Sequence, residues 1–170
     1  TLRGGPGVSL APFDRFNLGA ACGDDPAHVR QNRERLPVEF ALPAAPRWLH
    51  QVHGTHVQAF NPAPVGGASA PIPTADAAIT TLPNTVLAVL TADCLPVLFC
   101  DDAGSVVAAA HAGWRGLLGG VVESTVAAMA VPPQRLMAWL GPAIGPAAFE
   151  VGEEVRIAFV SDDPEAFSAF

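Results

Sequence analysis

The sequence predicts an α+β fold, in which a mixed β-sheet is flanked by helices. Three apolar runs, at residues 85–90, 95–100 and 106–110, are typical of buried strands. Asp-Asp-Ala-Gly at 101–104 predicts a tight turn between the last two runs, and therefore a hairpin. Apolar residues at helical spacing over residues 117–130 predict a helix directly afterwards. Hairpins mixed with strand–helix–strand units favour α+β over a doubly wound parallel sheet.

The first helix is predicted near the start of the chain. Asp25 followed by Pro26 is a typical helix start, so we expect a helix over residues 27–36 that Pro37 ends. The other expected elements are, in chain order, a strand at 47–53, a Pro/Gly-rich loop at 61–73, a strand at 136–140, a rigid loop at 141–146 and a helix at 151–160.

Composition excludes several classes of protein. The 170 residues are 50% hydrophobic and 15% charged, which is enough for one domain with a core and argues against disorder. With a net charge of −7, no basic footprint for nucleic acid is visible in the sequence. No apolar run is long enough for a membrane span, and the first residues lead us to expect no signal segment. Three cysteines without a spaced framework fit a reducing compartment, so we expect a cytoplasmic protein.

The cations are all arginines, because the sequence contains no lysine. A P-loop lysine and a lysine Schiff base are therefore absent from these residues. Any bound anion must be held by arginine, by backbone N–H groups or by a metal.

Reactive side chains are concentrated in three segments, at residues 51–56, 91–96 and 111–116, each next to a predicted strand end. Strand ends at one edge of a sheet can converge in space. His53, Cys94 and His111 would then offer two imidazole nitrogens and a thiolate, which zinc accepts while keeping a fourth position open. Copper is the less favoured metal. The alternative is a buried structural cysteine with two hydrogen-bonded histidines.

Cys94 has a second functional interpretation as a nucleophile. His111 would be its base, and Asp93 or His53 would orient the imidazole. This arrangement is that of a thiol hydrolase, which needs no metal.

Three further residues are candidates beside this cluster. Arg115 stands between glycines next to His111 and could bind phosphate or a carboxylate, or could simply stack on Trp114 at the surface. Asp93 adjoins Cys94 and could orient a ligand or act as a base, or could be a turn residue. Gln51 could hydrogen-bond a ligand.

Four motifs carry a resemblance to a known family. They are QVHG at 51–54, TADCLPV at 91–97, AAHAGWRG at 109–116 and WLGPAIG at 139–145. In this order they resemble the bacterial YfiH family, also called the laccase-domain or multicopper polyphenol oxidase family, and the resemblance covers nearly the whole chain. Family members continue into a C-terminal segment with Cys-Thr and Ser-Tyr-Arg-Arg motifs. We therefore expect residues 1–170 to form a single YfiH-like domain that lacks this segment.

The resemblance implies a fold shared with Cys–His deamidase toxins. It implies zinc on His53, Cys94 and His111, and phosphorolysis of purine nucleosides such as adenosine and inosine, with adenosine deamination and methylthioadenosine cleavage as further activities. We expect Cys94, His111 and Asp93 to be catalytic, and Arg115 and Gln51 to bind nucleoside and phosphate. The oxidase label fits poorly, because multicopper oxidases need several histidine-rich copper clusters and the chain has five histidines. The alternatives are a Cys–His amidase acting on cell-wall precursor peptides, a polyphenol oxidase, or a binding module without turnover.

Overall fold

A five-stranded mixed sheet forms the centre of the computed structural model, which describes residues 4–61 and 71–170. The strands are β1 (Val57–Ala59), β2 (Ala77–Thr80), β3 (Leu95–Asp101), β4 (Val107–Ala112) and β5 (Leu136–Leu140). Their order is β1-β2-β4-β3-β5, with β1 parallel to β2 and every other neighbouring pair antiparallel. The predicted α+β class with a mixed sheet is therefore confirmed.

The predicted central hairpin is formed by β3 and β4. Leu95 pairs with Ala112, and Pro96 pairs with His111. Asp101 closes the turn by accepting hydrogen bonds from the backbone N–H groups of Ser105 and Val106, and Gly104 supplies the left-handed residue with φ of 65°. The same register places Cys94, just before β3, opposite Gly113, just after β4.

The described residues contain four α-helices, two of which pack against the sheet. They are α1 (Pro26–Glu39), α2 (Trp114–Leu118), α3 (Val121–Met129) and α4 (Glu153–Asp162). Helix α3 contacts β1, β2 and β4, and its Val121 and Met129 join the strand residues Ile79, Val97 and Phe99 in the main core. A second core on the other side of β2 contains Leu49, Phe60, Ala75 and Ala78.

Helix boundaries differ from the prediction at three places. The helix expected over 117–130 is two helices, because Gly119 and Gly120 interrupt it and Gly120 has φ of 90°. Pro37 does not end α1, since it stands in the last turn, where a missing N–H removes a single backbone bond. The strand at 136–140 is confirmed, and the helix expected at 151–160 begins two residues later.

The prediction of strands at residues 47–53 and 85–90 is wrong. Each segment has only isolated bridges, Arg47 with Leu87 and His50 with Thr74. Side chains instead of a neighbouring strand satisfy part of the backbone there. The Gln51 amide forms hydrogen bonds with the main chain of Leu90, and the carboxylate of Asp76 accepts the N–H groups of residues 52–54. The loop predicted at 61–73 lies largely outside the described residues.

Among residues 4–61 and 71–170, no strand pairs with the edge strand β5 on the side away from β3. Its Met137, Trp139 and Leu140 are each more than half exposed. Across residues 4–61 and 71–170, no helix has both the length and the apolar character that crossing a membrane requires.

Candidate functional site: a His–Cys–His cluster

The structure brings His53, Cys94 and His111 together at one edge of the sheet. His111 lies near the end of β4 and is 3% exposed, while Cys94 is half-buried immediately before β3. His53 is exposed and follows the irregular segment 47–52, in the left-handed region with φ of 59°. One ligand atom from each of the three residues lies within 4.8 Å of the other two. Within the described part of the chain, no other such group of His, Cys, Asp or Glu side chains is found.

The spacing of the donor atoms fits a metal ion. Cys94 Sγ is 3.9 Å from His53 Nε2, and the imidazole rings of His53 and His111 meet edge to face with centroids 4.7 Å apart. Two nitrogens and a sulfur around one tetrahedral metal would be separated by about 3.4–3.6 Å. Small side-chain rotations would therefore bring the three atoms to bonding distance from a common point.

A fourth residue, Asp76, stands beneath the cluster. It is 0% exposed, and its carboxylate accepts four hydrogen bonds. The N–H groups of Val52 and Gly54 donate to Oδ2 at 3.1 and 2.8 Å. The N–H of His53 and the ring Nδ1 of His111 both donate to Oδ1 at 2.9 Å. One carboxylate thus contacts two of the three cluster residues.

The surroundings of Asp76 lower the pKa of its carboxyl group, whereas those of Cys94 raise the pKa of its thiol. Burial acts to raise the pKa of Asp76, but the hydrogen bonds from His111 and the N–H groups of residues 52–54 outweigh it and lower that pKa. Burial raises the pKa of the Cys94 thiol, and the negative charge of Asp93 and a hydrogen bond to it add to the rise. Asp76 is therefore a carboxylate at neutral pH, and Cys94 keeps its proton unless a cation replaces it.

Gly113 makes room for the cluster. A Cβ atom at this position would lie 2.7 Å from His53 Cδ2 and 2.9 Å from Cys94 Sγ, which is closer than real side-chain contacts. The backbone of Gly113 is extended, with φ of −66°, so the requirement for glycine here is one of space alone.

The other predicted site residues surround the cluster less closely. Asp93 is exposed, and its negative charge helps to raise the pKa of the Cys94 thiol. Its main-chain carbonyl accepts a hydrogen bond from the N–H of Ile144. Arg115 is exposed in α2, and its guanidinium stacks on Trp114 with 4.1 Å between its carbon and the ring centre. The substrate-binding roles of Arg115 and Gln51 stay predictions.

The geometry of Gln51 points to a different use of its side chain. Its Nε2 donates to the carbonyl of Leu90 at 2.8 Å, and its Oε1 accepts from the N–H of Leu90 at 2.7 Å. These two bonds tie the segment that leads to His53 to the segment that leads to Cys94. The amide is engaged with main chain, so this geometry does not support a contact with substrate.

Sequence reasoning missed Asp76 altogether. The only signal was a single acid at the start of an apolar strand, in Ala75-Asp76-Ala77-Ala78, where a core would otherwise exclude charge. Its importance depends on contacts with residues 22 to 35 positions away, which no local pattern reports.

Comparison with known proteins shows the family of the chain. A family model described as multi-copper polyphenol oxidoreductase laccase matches residues 1–170. The chain is 56% identical over 164 residues to the purine nucleoside phosphorylase YfiH of Escherichia coli, covering 96% of this chain and 65% of the relative. It is 54% identical to the purine nucleoside phosphorylase PA4543 of Pseudomonas aeruginosa, covering 100% of this chain and 66% of that protein. The chain therefore spans about two thirds of the length of these relatives.

Solved structures show the same fold. The crystal structure of Neisseria meningitidis protein NMB0706 is 50% identical, with a TM-score of 0.88 over 98% of this chain and 66% of that one. YlmD from Geobacillus stearothermophilus is 31% identical, with a TM-score of 0.83 over 92% of this chain and 62% of that one.

Proposed function

Because the chain belongs to the family of multi-copper polyphenol oxidoreductase laccases, we propose that it is a zinc-dependent purine nucleoside phosphorylase acting on adenosine and inosine. The observation that carries this proposal is the convergence of His53, Cys94 and His111 on one point, in a chain whose similar relatives are named purine nucleoside phosphorylases. A cytoplasmic location is part of the proposal, since all three cysteines are unpaired.

Zinc suits the donor set better than copper. Two imidazoles and one thiolate are ordinary zinc ligands, and three protein ligands leave one position open. A zinc ion held there would act as a Lewis acid towards an oxygen in that position. A multicopper oxidase needs several histidine-rich clusters, whereas the five histidines of this chain all lie in its described residues and supply one cluster.

The proposed reaction breaks the bond between the purine nitrogen and C1′ of the ribose and forms a bond between C1′ and a phosphate oxygen. The base leaves with the bonding electrons and takes up a proton. Positive charge develops on the ribose as the bond breaks, so the carboxylate of Asp93 beside Cys94 would stabilise it. Arg115 would bind the phosphate, because stacking on Trp114 orients the guanidinium while its N–H groups project in the plane of the group.

The site could also serve two related reactions. In adenosine deamination, water would attack C6 of the purine, and the C6–N bond would break to release the amino group as ammonia. Methylthioadenosine cleavage would use phosphate as above. Both belong to the proposal because the same His–Cys–His cluster would serve them.

The direct test follows base release from inosine and adenosine, with and without phosphate. We expect release that depends on phosphate and yields one ribose 1-phosphate for each base. Equal release without phosphate would indicate hydrolysis instead, and no release from any nucleoside, by protein that binds zinc, would indicate a binding module.

A Cys–His hydrolase, for example one acting on cell-wall precursor peptides, is the second candidate. The observation in its favour is the approach of Cys94 Sγ to His53 Nε2, at 3.9 Å, which would make His53, and not His111 as first expected, the base. The raised pKa of the thiol argues against it, since a nucleophilic cysteine needs its thiolate. Alkylation of metal-free protein discriminates: a hydrolase would lose Cys94 to iodoacetamide much faster than Cys100, the half-buried cysteine of β3.

A further inference from the structure

We propose that Asp76 is the positioning residue of the metal centre, a single buried carboxylate that holds His111 by its ring and His53 by its main chain. The inference rests on the proposed metal centre and adds to it a residue outside the ligand set. Its basis is one atom, Oδ1 of Asp76, which accepts hydrogen bonds from both histidines at 2.9 Å.

The bond to His111 selects the tautomer of its ring. An ionised carboxylate can only accept hydrogen bonds, so Nδ1 of His111 must carry the proton in its neutral form. The lone pair is then on Nε2, the nitrogen left for the cluster. A metal-bound histidine is commonly oriented in this way through its second nitrogen, which also makes the ligand more basic.

The bonds to residues 52–54 hold His53 in an unfavourable backbone conformation. A left-handed φ of 59° is unfavourable at a residue other than glycine unless its surroundings hold it. Three consecutive N–H groups, those of Val52, His53 and Gly54, all point at the two oxygens of Asp76. The carboxylate therefore forms the inside of the turn that carries the His53 side chain to the cluster.

Asp76 itself is held firmly by the sheet. The β2–β4 register places it directly opposite His111, whose N–H donates to the Asp76 carbonyl at 2.8 Å, and its own N–H donates to the carbonyl of His56 at 3.1 Å. A short side chain on this fixed backbone has little freedom. The sheet register thus determines the positions of Asp76 and His111 together.

The variant Asp76→Asn tests the inference, because the amide is almost the same size but has one acceptor oxygen. If the amide nitrogen faces His111, Nδ1 must accept, and Nε2 becomes protonated and unable to bind metal. If the oxygen faces His111, the NH₂ group meets the N–H groups of Val52 and Gly54, and the turn opens. Either arrangement weakens the site, so we expect zinc affinity, measured by competition with a chromogenic chelator, to fall by about tenfold or more.

The matched control is Asp101→Asn. Asp101 is also buried, and it accepts two backbone N–H groups and a hydroxyl in the β3–β4 turn, without contact to the cluster. The Asp101→Asn variant should have a less stable fold, but its zinc affinity should stay within about twofold of wild type, the resolution of the competition assay. Zinc affinity of Asp76→Asn within the same margin would overturn the inference.

A second measurement needs neither metal nor a folded variant. Nitrogen-15 NMR of the imidazoles in metal-free wild-type protein should show His111 protonated at Nδ1 and unprotonated at Nε2. The opposite tautomer would overturn the role of Asp76. Wild-type protein that binds no zinc would refute the proposed metal centre instead, and the tautomer spectrum would still decide whether Asp76 orients His111.

Discussion

Replacing Gly113 with alanine should weaken metal binding at the cluster while leaving the backbone unstrained. Gly113 has φ of −66° and ψ of 157°, which alanine adopts freely. The new methyl group would lie 2.7 Å from His53 Cδ2 and 2.9 Å from Cys94 Sγ. Its whole effect is therefore exerted on two of the three predicted ligands.

The size of the effect follows from these distances. Carbon atoms in contact prefer about 3.5–4.0 Å, so the methyl group overlaps His53 by about 0.8 Å or more. Metal–ligand distances tolerate only about 0.2 Å. Overpacking destabilises a folded protein by about 1–3 kcal/mol. If this cost is borne by the metal-bound state, zinc affinity falls by about 5- to 150-fold. Without metal, the exposed His53 side chain can turn away, so the loss in stability of the metal-free protein should be smaller.

The assay is a zinc competition titration, with urea unfolding of the metal-free protein measured in parallel. Gly145→Ala is the matched control, because Gly145 has a similar extended backbone, with φ of −87° and ψ of 162°, and a Cβ there would meet nothing within 4 Å. The control should keep wild-type zinc affinity. Unchanged zinc affinity in Gly113→Ala would refute the proposed packing of His53 and Cys94 around a metal.

Three further predictions follow from other parts of the structure. Cys94→Ser should lose most of the bound zinc as measured by metal analysis, whereas Cys100→Ser should keep it; equal zinc contents would contradict the ligand role. Arg115→Ala should raise the phosphate KM by about tenfold or more, and the surface variant Arg135→Ala should leave it unchanged; unchanged phosphate dependence in both would remove Arg115 from the site. The pKa of Asp101 is lowered from 3.8 to about 2, chiefly by hydrogen bonds from Ser105 and the N–H of Val106. Its contribution to stability is therefore full above pH 3.8 and is lost as the pH falls towards about 2, so urea midpoints measured across this range should decline more steeply in wild type than in Asp101→Asn.

Local signals in the sequence were sufficient for the hairpin and for the three cluster residues. The tight turn at 101–104 and the apolar runs around it determine the β3–β4 register, and that register places Cys94 opposite Gly113. The motifs that contain His53, Cys94 and His111 suggested a shared site because each adjoins a strand end. The structure brings these three side chains together.

Contacts between distant residues were not predictable in the same way. Gln51 looked available for a ligand, but its amide bonds the main chain of Leu90, 39 residues away. Residues 85–90 are apolar enough for a strand, yet they pack as an irregular segment because side-chain bonds satisfy part of their backbone. Asp76 was not predicted, because the role of this single acidic residue depends on the β2–β4 pairing that places it opposite His111.

The dependence of nucleoside cleavage on metal is the most direct test of the proposed zinc phosphorylase. Purified wild-type protein would be stripped with a chelator, its zinc content measured, and phosphate-dependent base release from inosine followed before stripping, after stripping and after zinc is returned. The proposed role of His53, Cys94 and His111 predicts that base release disappears with the metal and returns with about one zinc per chain. Full base release by protein shown to be free of metal would contradict it.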